Sequence, residues 1–276
     1  MAFFTAADGT KLAYEDRGAG VPLLCLAGLT RNMRDFDFLA PHLEGVRLIR
    51  MDYRGRGASD WPGPATYTLM QEGADALALL DHLGLEKAAI LGTSRGGLIA
   101  MGLAASARER LLGVCLNDIG PDISTEGIGA ILDYIGKPPV AESLDEAALV
   151  RAAYMRAMGF EGVAPEMWRR EVSFAFRELD GGGLALNYDP RLREALEAMV
   201  DAPIPDLWPF FQALEGLPVA LIHGEHSNIL SHETAARMRA QMPDMLYAKV
   251  PGRGHVPFLD EPEALAVIRA WLAKFS

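Results

Sequence analysis

A short glycine-rich turn at residues 92–97 (GTSRGG) constrains how this chain can fold more than any other stretch of its sequence. The apolar run before it, 87–91, is typical of a short buried strand, and the run after it, 98–104, is typical of a helix. Glycines two positions before and after Ser94 leave room for a turn in which side chains would clash. A G-x-S-x-G turn between a strand and a helix exposes the serine hydroxyl. Ser94 is therefore a candidate nucleophile, and a glycine-rich turn with an incidental serine is the alternative.

Strand-like and helix-like segments alternate on both sides of this turn. Short apolar runs predict strands, and apolar residues at helical spacing predict helices. The predicted strands are 11–15, 22–26, 46–51, 87–91, 111–116, 219–223 and 246–250, and the predicted flanking helices are 71–83, 98–104 and 261–275. Repeated strand–helix units imply a mainly parallel sheet that is covered on both faces. The sequence therefore predicts an α/β fold.

This alternation stops after Asp118 and resumes near residue 217. The sequence between them predicts amphipathic helices at 144–158 and 166–179 and almost no strand. We therefore predict a core formed by residues 1–118 and 217–276, with residues 119–216 inserted as a helical cap. Open α/β sheets bind ligands at the carboxyl ends of their strands, so a cap there would exclude water and shape a pocket.

Composition limits the classes of partner. The chain has 276 residues and a net charge of −11, which argues against nucleic acid or an anionic membrane. Cys25 and Cys115 lie in apolar runs and are predicted to be core residues without disulfide or metal roles. No run is long enough to span a bilayer, and the N-terminal residues do not resemble a secretion signal. We expect a cytoplasmic monomer or homodimer that acts on a small molecule.

His255 is the histidine best placed to serve as a base for Ser94. It lies in the stretch PGRGHVPF at 251–258, between the last predicted strand and the final helix. That position fits a chain order of serine, acid and histidine, and a solvent-exposed loop histidine is the alternative. His223 and His226 straddle a strand end without a clear third ligand, so no metal site is predicted.

Several motifs together resemble those of the α/β-hydrolase superfamily. They are AGLTRN at 27–32, DYRGRGAS at 52–59, GTSRGG at 92–97 and GHVP at 254–257. The resemblance covers the whole chain and implies a mainly parallel eight-stranded sheet with an inserted helical cap and no cofactor. In this family the loop after the third strand supplies one backbone N–H to the oxyanion hole, which here corresponds to Leu29. The second N–H is that of Arg95, at a helix N-terminus where partial positive charge stabilises an oxyanion.

The acid that should support His255 is where the sequence departs from this family. The resemblance places it in GEHSNILS at 224–231, and its position is occupied by Asn228. An amide stabilises an imidazolium less well than a carboxylate, and in a serine protease the same change lowers turnover about 10⁴-fold. Three explanations are open. Asp118 supplies the carboxylate, as in certain haloalkane dehalogenases. Alternatively, Asn228 replaces a natural aspartate, or the protein is a weak enzyme or a ligand-binding relative. A structural aspartate at the start of the cap is the alternative role for Asp118.

Arg95 is also a candidate for binding an anionic group of the substrate. Fluoroacetate dehalogenase-like members of the family have an arginine at this place beside an aspartate nucleophile. Ser94 excludes that dehalogenation chemistry, yet the arginine could still pair with a carboxylate. An arginine turned toward the cap or a nearby acid is the alternative, and Arg31 and Arg34 are weaker candidates for the same role.

The sequence as a whole predicts a serine hydrolase that cleaves a small carboxylic ester or lactone through an acyl-enzyme. Ser94 is the predicted nucleophile and His255 the general base, and a substrate that carries a carboxylate is one form of this prediction. A carbon–carbon bond hydrolase of the same fold is the first alternative. A catalytically weakened ligand-binding relative is the second, because Asn228 occupies the usual position of the acid.

Overall fold

An eight-stranded sheet forms the centre of the computed structural model, which describes residues 1–200 and 205–275. Its strands are β1 (Ala2–Thr5), β2 (Lys11–Gly18), β3 (Val21–Leu26), β4 (Val46–Met51), β5 (Ala88–Thr93), β6 (Leu111–Asn117), β9 (Val219–Gly224) and β10 (Leu246–Val250). Strands are numbered along the chain, and two short strands outside this sheet take the numbers between β6 and β9. They lie in the order β1-β2-β4-β3-β5-β6-β9-β10. Only the two pairings made by β2 are antiparallel. The predicted mainly parallel α/β sheet is confirmed.

Both faces of the sheet are covered, and this explains why its central strands are continuously apolar. In β3, Leu24 and Leu26 enter one hydrophobic core while Leu23 and Cys25 enter the core on the opposite face. All six residues of β5 are buried. Strands of a parallel sheet that is covered on both sides have no solvent-facing side chains, so their sequences do not alternate.

Four helices flank the sheet at the positions that the strand–helix pattern requires. They are α1 (Leu69–His82), α2 (Arg95–Ser106), α8 (His232–Gln241) and α9 (Pro262–Leu272). α1 begins where the Thr68 hydroxyl accepts a hydrogen bond from the Gln71 N–H, which satisfies one of the free N–H groups of the first turn. α1 and α2 contribute to the first core, and α9 brings the fully buried Trp271 into the second.

The chain between β6 and β9 forms mostly helices. The helices and the two short strands of this segment are, in chain order, α3 (Thr125–Tyr134), α4 (Leu144–Ala157), α5 (Pro165–Ala175), β7 (Phe176–Glu178), β8 (Leu184–Leu186), α6 (Leu192–Val200) and α7 (Trp208–Gln212). α4 and α5 share a small hydrophobic core that includes Met155 and Trp168. Phe38 and Phe258 from outside this segment join that core, so α4 and α5 are packed against the rest of the molecule.

This segment differs from the prediction in two places. The second predicted helix, 166–179, ends at Ala175, because the following residues pair as an antiparallel hairpin of β7 with β8 across a glycine-rich turn. Trp208 and Phe211 of α7 are part of the first core of the sheet, so the end of the predicted cap packs with the core. Residues 201–204 of the predicted cap lie outside the described residues.

Two further observations concern membrane-spanning helices and the cysteines. Among the described residues, no helix has both the length and the apolar character needed to cross a membrane. Cys25 in β3 and Cys115 in β6 are free and fully buried, and burial raises the pKa of both thiols above its ordinary value. Both cysteines are therefore core residues, as predicted.

The turn between β5 and α2 depends on two close backbone contacts. A Cβ atom added to Gly92 would lie 2.4 Å from the carbonyl oxygen of Gly96. A Cβ atom added to Gly96 would lie 2.1 Å from the carbonyl oxygen of Leu26 in the neighbouring strand β3. Ser94 itself has φ 50° and ψ −113°, a region that non-glycine residues rarely occupy. The strained serine is held in place because both glycines allow backbone segments to approach.

The Gly96→Ala substitution should therefore destabilise the fold by about 2 kcal/mol or more, because the obstructing atom belongs to backbone that cannot move aside. Gly102→Ala in the same helix is the matched control. A Cβ atom there meets no other atom within 4 Å, and alanine should stabilise the helix by about 0.5–1 kcal/mol. Urea unfolding of both variants measures the difference. Equal stability of the two variants would contradict the proposed role of this close contact.

Candidate active site

Ser94 lies at the carboxyl edge of the parallel strands, where β5 ends and α2 begins. Its N–H donates to the carbonyl oxygen of Asn117 at the end of β6, with the two atoms 3.0 Å apart. This hydrogen bond fixes the serine relative to the neighbouring strand. The turn therefore presents the hydroxyl group above the sheet, at the edge where ligands of open α/β sheets bind.

His255 reaches Ser94 from the loop between β10 and α9. Its Nε2 lies 3.0 Å from the Ser94 Oγ, which is hydrogen-bonding distance. The loop is held near β6 because the Asn117 side-chain amide donates to the carbonyl oxygen of Pro257, at 3.2 Å. The same strand end therefore anchors both the serine turn and the histidine loop.

Asp118 completes this series of hydrogen bonds. Its Oδ2 lies 2.7 Å from the Nδ1 of His255, and the aspartate is fully buried. Asp118 directly follows β6 and has φ 56°, a left-handed conformation that aspartate tolerates better than most residues. The turn aims the carboxylate at the histidine loop. With the Nδ1–H bonded to the carboxylate, the Nε2 of His255 is free to accept the Ser94 proton.

The loop after β9 supports Asp118 from the other side. The Gly224 N–H donates to Oδ1 at 2.7 Å, and the Ser227 hydroxyl donates to Oδ2 at 2.6 Å. With His255, three donors satisfy the buried carboxylate, as a buried charge requires. The sequence did not single out Ser227 as a site residue, although it lies beside Asn228 in the stretch 224–231.

The structure corrects the assignment of the acid position to Asn228. The Nδ1 of His255 is occupied by Asp118, and no hydrogen bond joins Asn228 to His255 among the described residues. The backbone carbonyl oxygen of Asn228 packs instead beside Gly127 of α3, where an added Cβ atom would lie 2.6 Å away. The loop after β9 thus contributes Ser227, and not Asn228, to the hydrogen bonds of Asp118. Of the two positions predicted for the acid, the structure brings Asp118 to the histidine.

The two backbone N–H groups predicted to form an oxyanion hole belong to segments that lie beside Ser94. Those of Leu29 and Arg95 have no hydrogen-bond acceptor among residues 1–200 and 205–275. Gly28 brings the Leu29 loop to Ser94, since a Cβ atom added there would lie 3.9 Å from the serine Cβ. The Arg95 N–H is at the first position of α2, where the helix dipole adds positive potential. Within the described residues, both N–H groups are thus available to a ligand at Ser94, and their role as oxyanion donors stays a prediction.

The structure also corrects the expectation that the Arg95 side chain binds a substrate carboxylate. Its Nε donates to Oε2 of Glu72 at 2.6 Å, and its Nη2 donates to the carbonyl oxygen of Tyr67 at 2.9 Å. Glu72 is fully buried on α1 and needs a positive partner. The guanidinium group therefore points away from the cavity described next. The structure therefore shows the alternative that the sequence left open, in which the arginine turns toward a nearby acid.

A cavity of about 380 Å³ lies between the strand ends and the helical segment. Ser94, His255 and Leu29 contribute to its floor, and the aromatic side chains of Tyr134, Trp168 and Phe176 contribute to its walls from the inserted segment. This volume suits a small molecule. Within the described residues, no group of three or more His, Cys, Asp or Glu side chains is arranged to hold a metal ion.

A cluster of charged side chains lies in the cavity wall. Arg31 donates to Glu171 of α5 and, through its Nε, to Asp35 at 2.7 Å. Arg151 of α4 donates to the same Oε1 of Glu171 at 2.9 Å. Burial by itself would raise the pKa of Glu171, but the two arginines outweigh it and lower that pKa to about 2. Burial raises the pKa of Asp35 above its ordinary value.

Comparisons with known proteins agree with this architecture. A family profile described as alpha/beta hydrolase fold matches residues 21–262. The 3-hydroxybutyrate-oligomer hydrolase of Cupriavidus necator is 35% identical over 256 residues, which cover 89% of this chain and 86% of that protein. The 2-(acetamidomethylene)succinate hydrolase of Mesorhizobium japonicum is 25% identical over 88% of this chain and 84% of its own length.

A solved structure shows the same similarity in three dimensions. An alpha/beta hydrolase from Novosphingobium aromaticivorans superposes with a TM-score of 0.92 at 38% identity, covering 99% of this chain and 97% of that one. The fold and the hydrolase names of these relatives support hydrolase activity. From the match of sequence over most of its length and of structure over nearly all of it, we conclude that this chain belongs to the α/β-hydrolase fold family.

Proposed function

We propose that this chain is a serine hydrolase that cleaves an ester of a small hydroxy acid through a covalent acyl-enzyme. The observation that carries the proposal is the continuous series of hydrogen bonds from Ser94 through His255 to Asp118. Its two links measure 3.0 Å and 2.7 Å. Ser94 and His255 line the cavity, and Asp118 is buried behind them. A nucleophile, a base in contact with it and a buried carboxylate behind the base form the arrangement that activates a serine.

In the proposed reaction, the Ser94 Oγ attacks the ester carbonyl carbon while its proton passes to the Nε2 of His255. The carboxylate of Asp118 stabilises the resulting imidazolium through the Nδ1–H. The N–H groups of Leu29 and Arg95 donate to the oxyanion of the tetrahedral intermediate. The alcohol leaves with the proton from His255. A water molecule then gives a proton to His255 and attacks the acyl carbon. The acyl–Oγ bond breaks, the Ser94 Oγ takes the proton back from His255, and the acid is released.

The substrate class rests on the similarity to the hydrolase from Cupriavidus necator and on the cavity. An oligomer of a hydroxy acid is an ester that carries a carboxylate at one end. Arg31 and Arg151 both line the cavity that contains Ser94, whereas Arg95 does not. The Nε of Arg151 has no hydrogen-bond acceptor among the described residues. We assign the binding of the substrate carboxylate to these two arginines, in place of the Arg95 role predicted from sequence.

The function is tested by labelling and turnover. We expect a fluorophosphonate to attach to Ser94, and we expect the protein to hydrolyse p-nitrophenyl butyrate and a 3-hydroxybutyrate dimer. Ser94→Ala should lower kcat about 10⁶-fold, because it removes the nucleophile. Ser106→Ala, at the exposed end of the same helix, is the control and should keep full activity. Mass spectrometry locates the label, and a label on another residue with full activity of Ser94→Ala would contradict the proposal.

The carboxylate assignment is tested with Arg151→Gln. A neutral glutamine loses a charge-assisted hydrogen bond worth about 1.5–3 kcal/mol. The KM for mono-p-nitrophenyl glutarate, which carries a carboxylate, should therefore rise about 10-fold or more, while the KM for the neutral p-nitrophenyl butyrate stays the same. Arg156→Gln, on an exposed part of the same helix, is the matched control. Equal changes for the charged and neutral esters would show that Arg151 does not bind the carboxylate.

A further inference from the structure

A single buried carboxylate connects the two backbone segments proposed to form the oxyanion hole. Glu72 on α1 is fully buried, and each of its oxygens accepts a hydrogen bond from a different arginine. Oε1 lies 2.6 Å from the Nη1 of Arg56, and Oε2 lies 2.6 Å from the Nε of Arg95. Neither arginine lines the cavity that contains Ser94.

Each of these arginines is bound to one side of the oxyanion hole. Arg56 donates through its Nε to the carbonyl oxygen of Leu29, at 2.9 Å. The Leu29 N–H is one proposed oxyanion donor, and the backbone N–H of Arg95 itself is the other. Glu72 therefore joins the loop after β3 to the first turn of α2 by side-chain contacts behind the site. These contacts add to the close packing of Gly96 against the carbonyl oxygen of Leu26, which also joins the two segments.

The charges in this cluster stabilise one another. Burial would raise the pKa of Glu72, but the adjacent Arg56 and Arg95 outweigh it and hold that pKa below its ordinary value. Burial lowers the pKa of Arg56. The guanidinium groups of Arg56 and Arg95 each bind a different oxygen of the Glu72 carboxylate, so the carboxylate is held between them. Loss of one partner from such a buried group leaves an uncompensated charge, which is costly.

We propose that Glu72 is a positioning residue that sets the geometry of the oxyanion hole through Arg56 and Arg95. This inference rests on the proposed function, since it requires an oxyanion to form at Ser94. Glu72 does not line the cavity, and among the described residues its side chain makes no hydrogen bond to Ser94 or His255. It acts on catalysis because oxyanion donors must lie within hydrogen-bonding distance of the developing charge, and a misplacement of about 1 Å costs about 100-fold in rate.

The test is Glu72→Gln, with Asp75→Asn as the matched control. Asp75 lies on the same helix and is similarly buried in an ion pair with Arg54, whose side chain makes no hydrogen bond to Leu29 or Arg95 among the described residues. Glu72→Gln should lower kcat for p-nitrophenyl butyrate about 100-fold and change KM less than about 3-fold. Its affinity for phenylboronic acid, which forms a tetrahedral adduct with a serine, should fall in parallel with kcat. Asp75→Asn should keep both values and lose only stability.

Active sites are counted by fluorophosphonate labelling, so that kcat refers to folded protein. Unchanged kcat and boronate affinity in Glu72→Gln, or equal losses in Asp75→Asn, would overturn the inference. If Glu72→Gln does not fold, Arg56→Lys decides, because it keeps a positive charge but loses the Nε donor to Leu29. Arg56→Lys should lose kcat and affinity for phenylboronic acid in parallel, and full activity of this variant would overturn the inference. Failure of the wild-type protein to turn over any ester would instead reject the proposed function.

Discussion

The buried carboxylate of Asp118 is the interaction on which the geometry of the site depends. It follows β6, accepts from the His255 loop after β10 and accepts from Ser227 and Gly224 after β9. Neighbouring segments of the sheet edge therefore converge on one charged group. A carboxylate is buried at an acceptable free-energy cost only when donors surround it, so the same hydrogen bonds that stabilise Asp118 also orient His255 toward Ser94.

Two other buried carboxylates, those of Glu72 and Glu171, are also stabilised by donors from different segments of the chain. Glu72 lies behind the turn at Ser94 and holds Arg56 and Arg95, while Glu171 lies in the cavity wall and holds Arg31 and Arg151. Each glutamate is shared by two arginines. The first cluster ties together segments of the core, and the second ties the loop after β3 to the inserted helices. In our account, one cluster fixes the oxyanion donors and the other selects a substrate with a carboxylate.

Much of this arrangement could be predicted from sequence because it is set locally. The apolar runs predicted the parallel strands, and the glycines around Ser94 predicted a turn that only small residues permit. The position of His255 before the last helix was also sufficient to select it from six histidines. In each case the signal lies within a few residues of the feature. The hairpin of β7 and β8 was missed since its strands have only three residues each.

The direction of the charged side chains could not be predicted in the same way. Asp118 and His255 are 137 positions apart, and whether they meet depends on the left-handed backbone at Asp118. Asn228 occupied the position that the family pattern favoured, but the loop after β9 turns Ser227 to the site instead. Arg95 was expected to face a ligand, because the buried charge of Glu72 on α1 was not apparent from the sequence. Contacts between residues far apart in the chain decided each of these outcomes.

The central claim, that Asp118 is the carboxylate that supports His255, is tested by comparing kcat of Asp118→Asn with that of Asn228→Asp. We predict that Asp118→Asn lowers kcat for p-nitrophenyl butyrate about 10⁴-fold, as loss of the carboxylate does in a serine protease. Asn228→Asp should change kcat less than about 3-fold, because Asp118 already occupies the Nδ1 of His255. Near-normal activity of folded Asp118→Asn, or a rise of several hundred-fold in Asn228→Asp, would contradict the account.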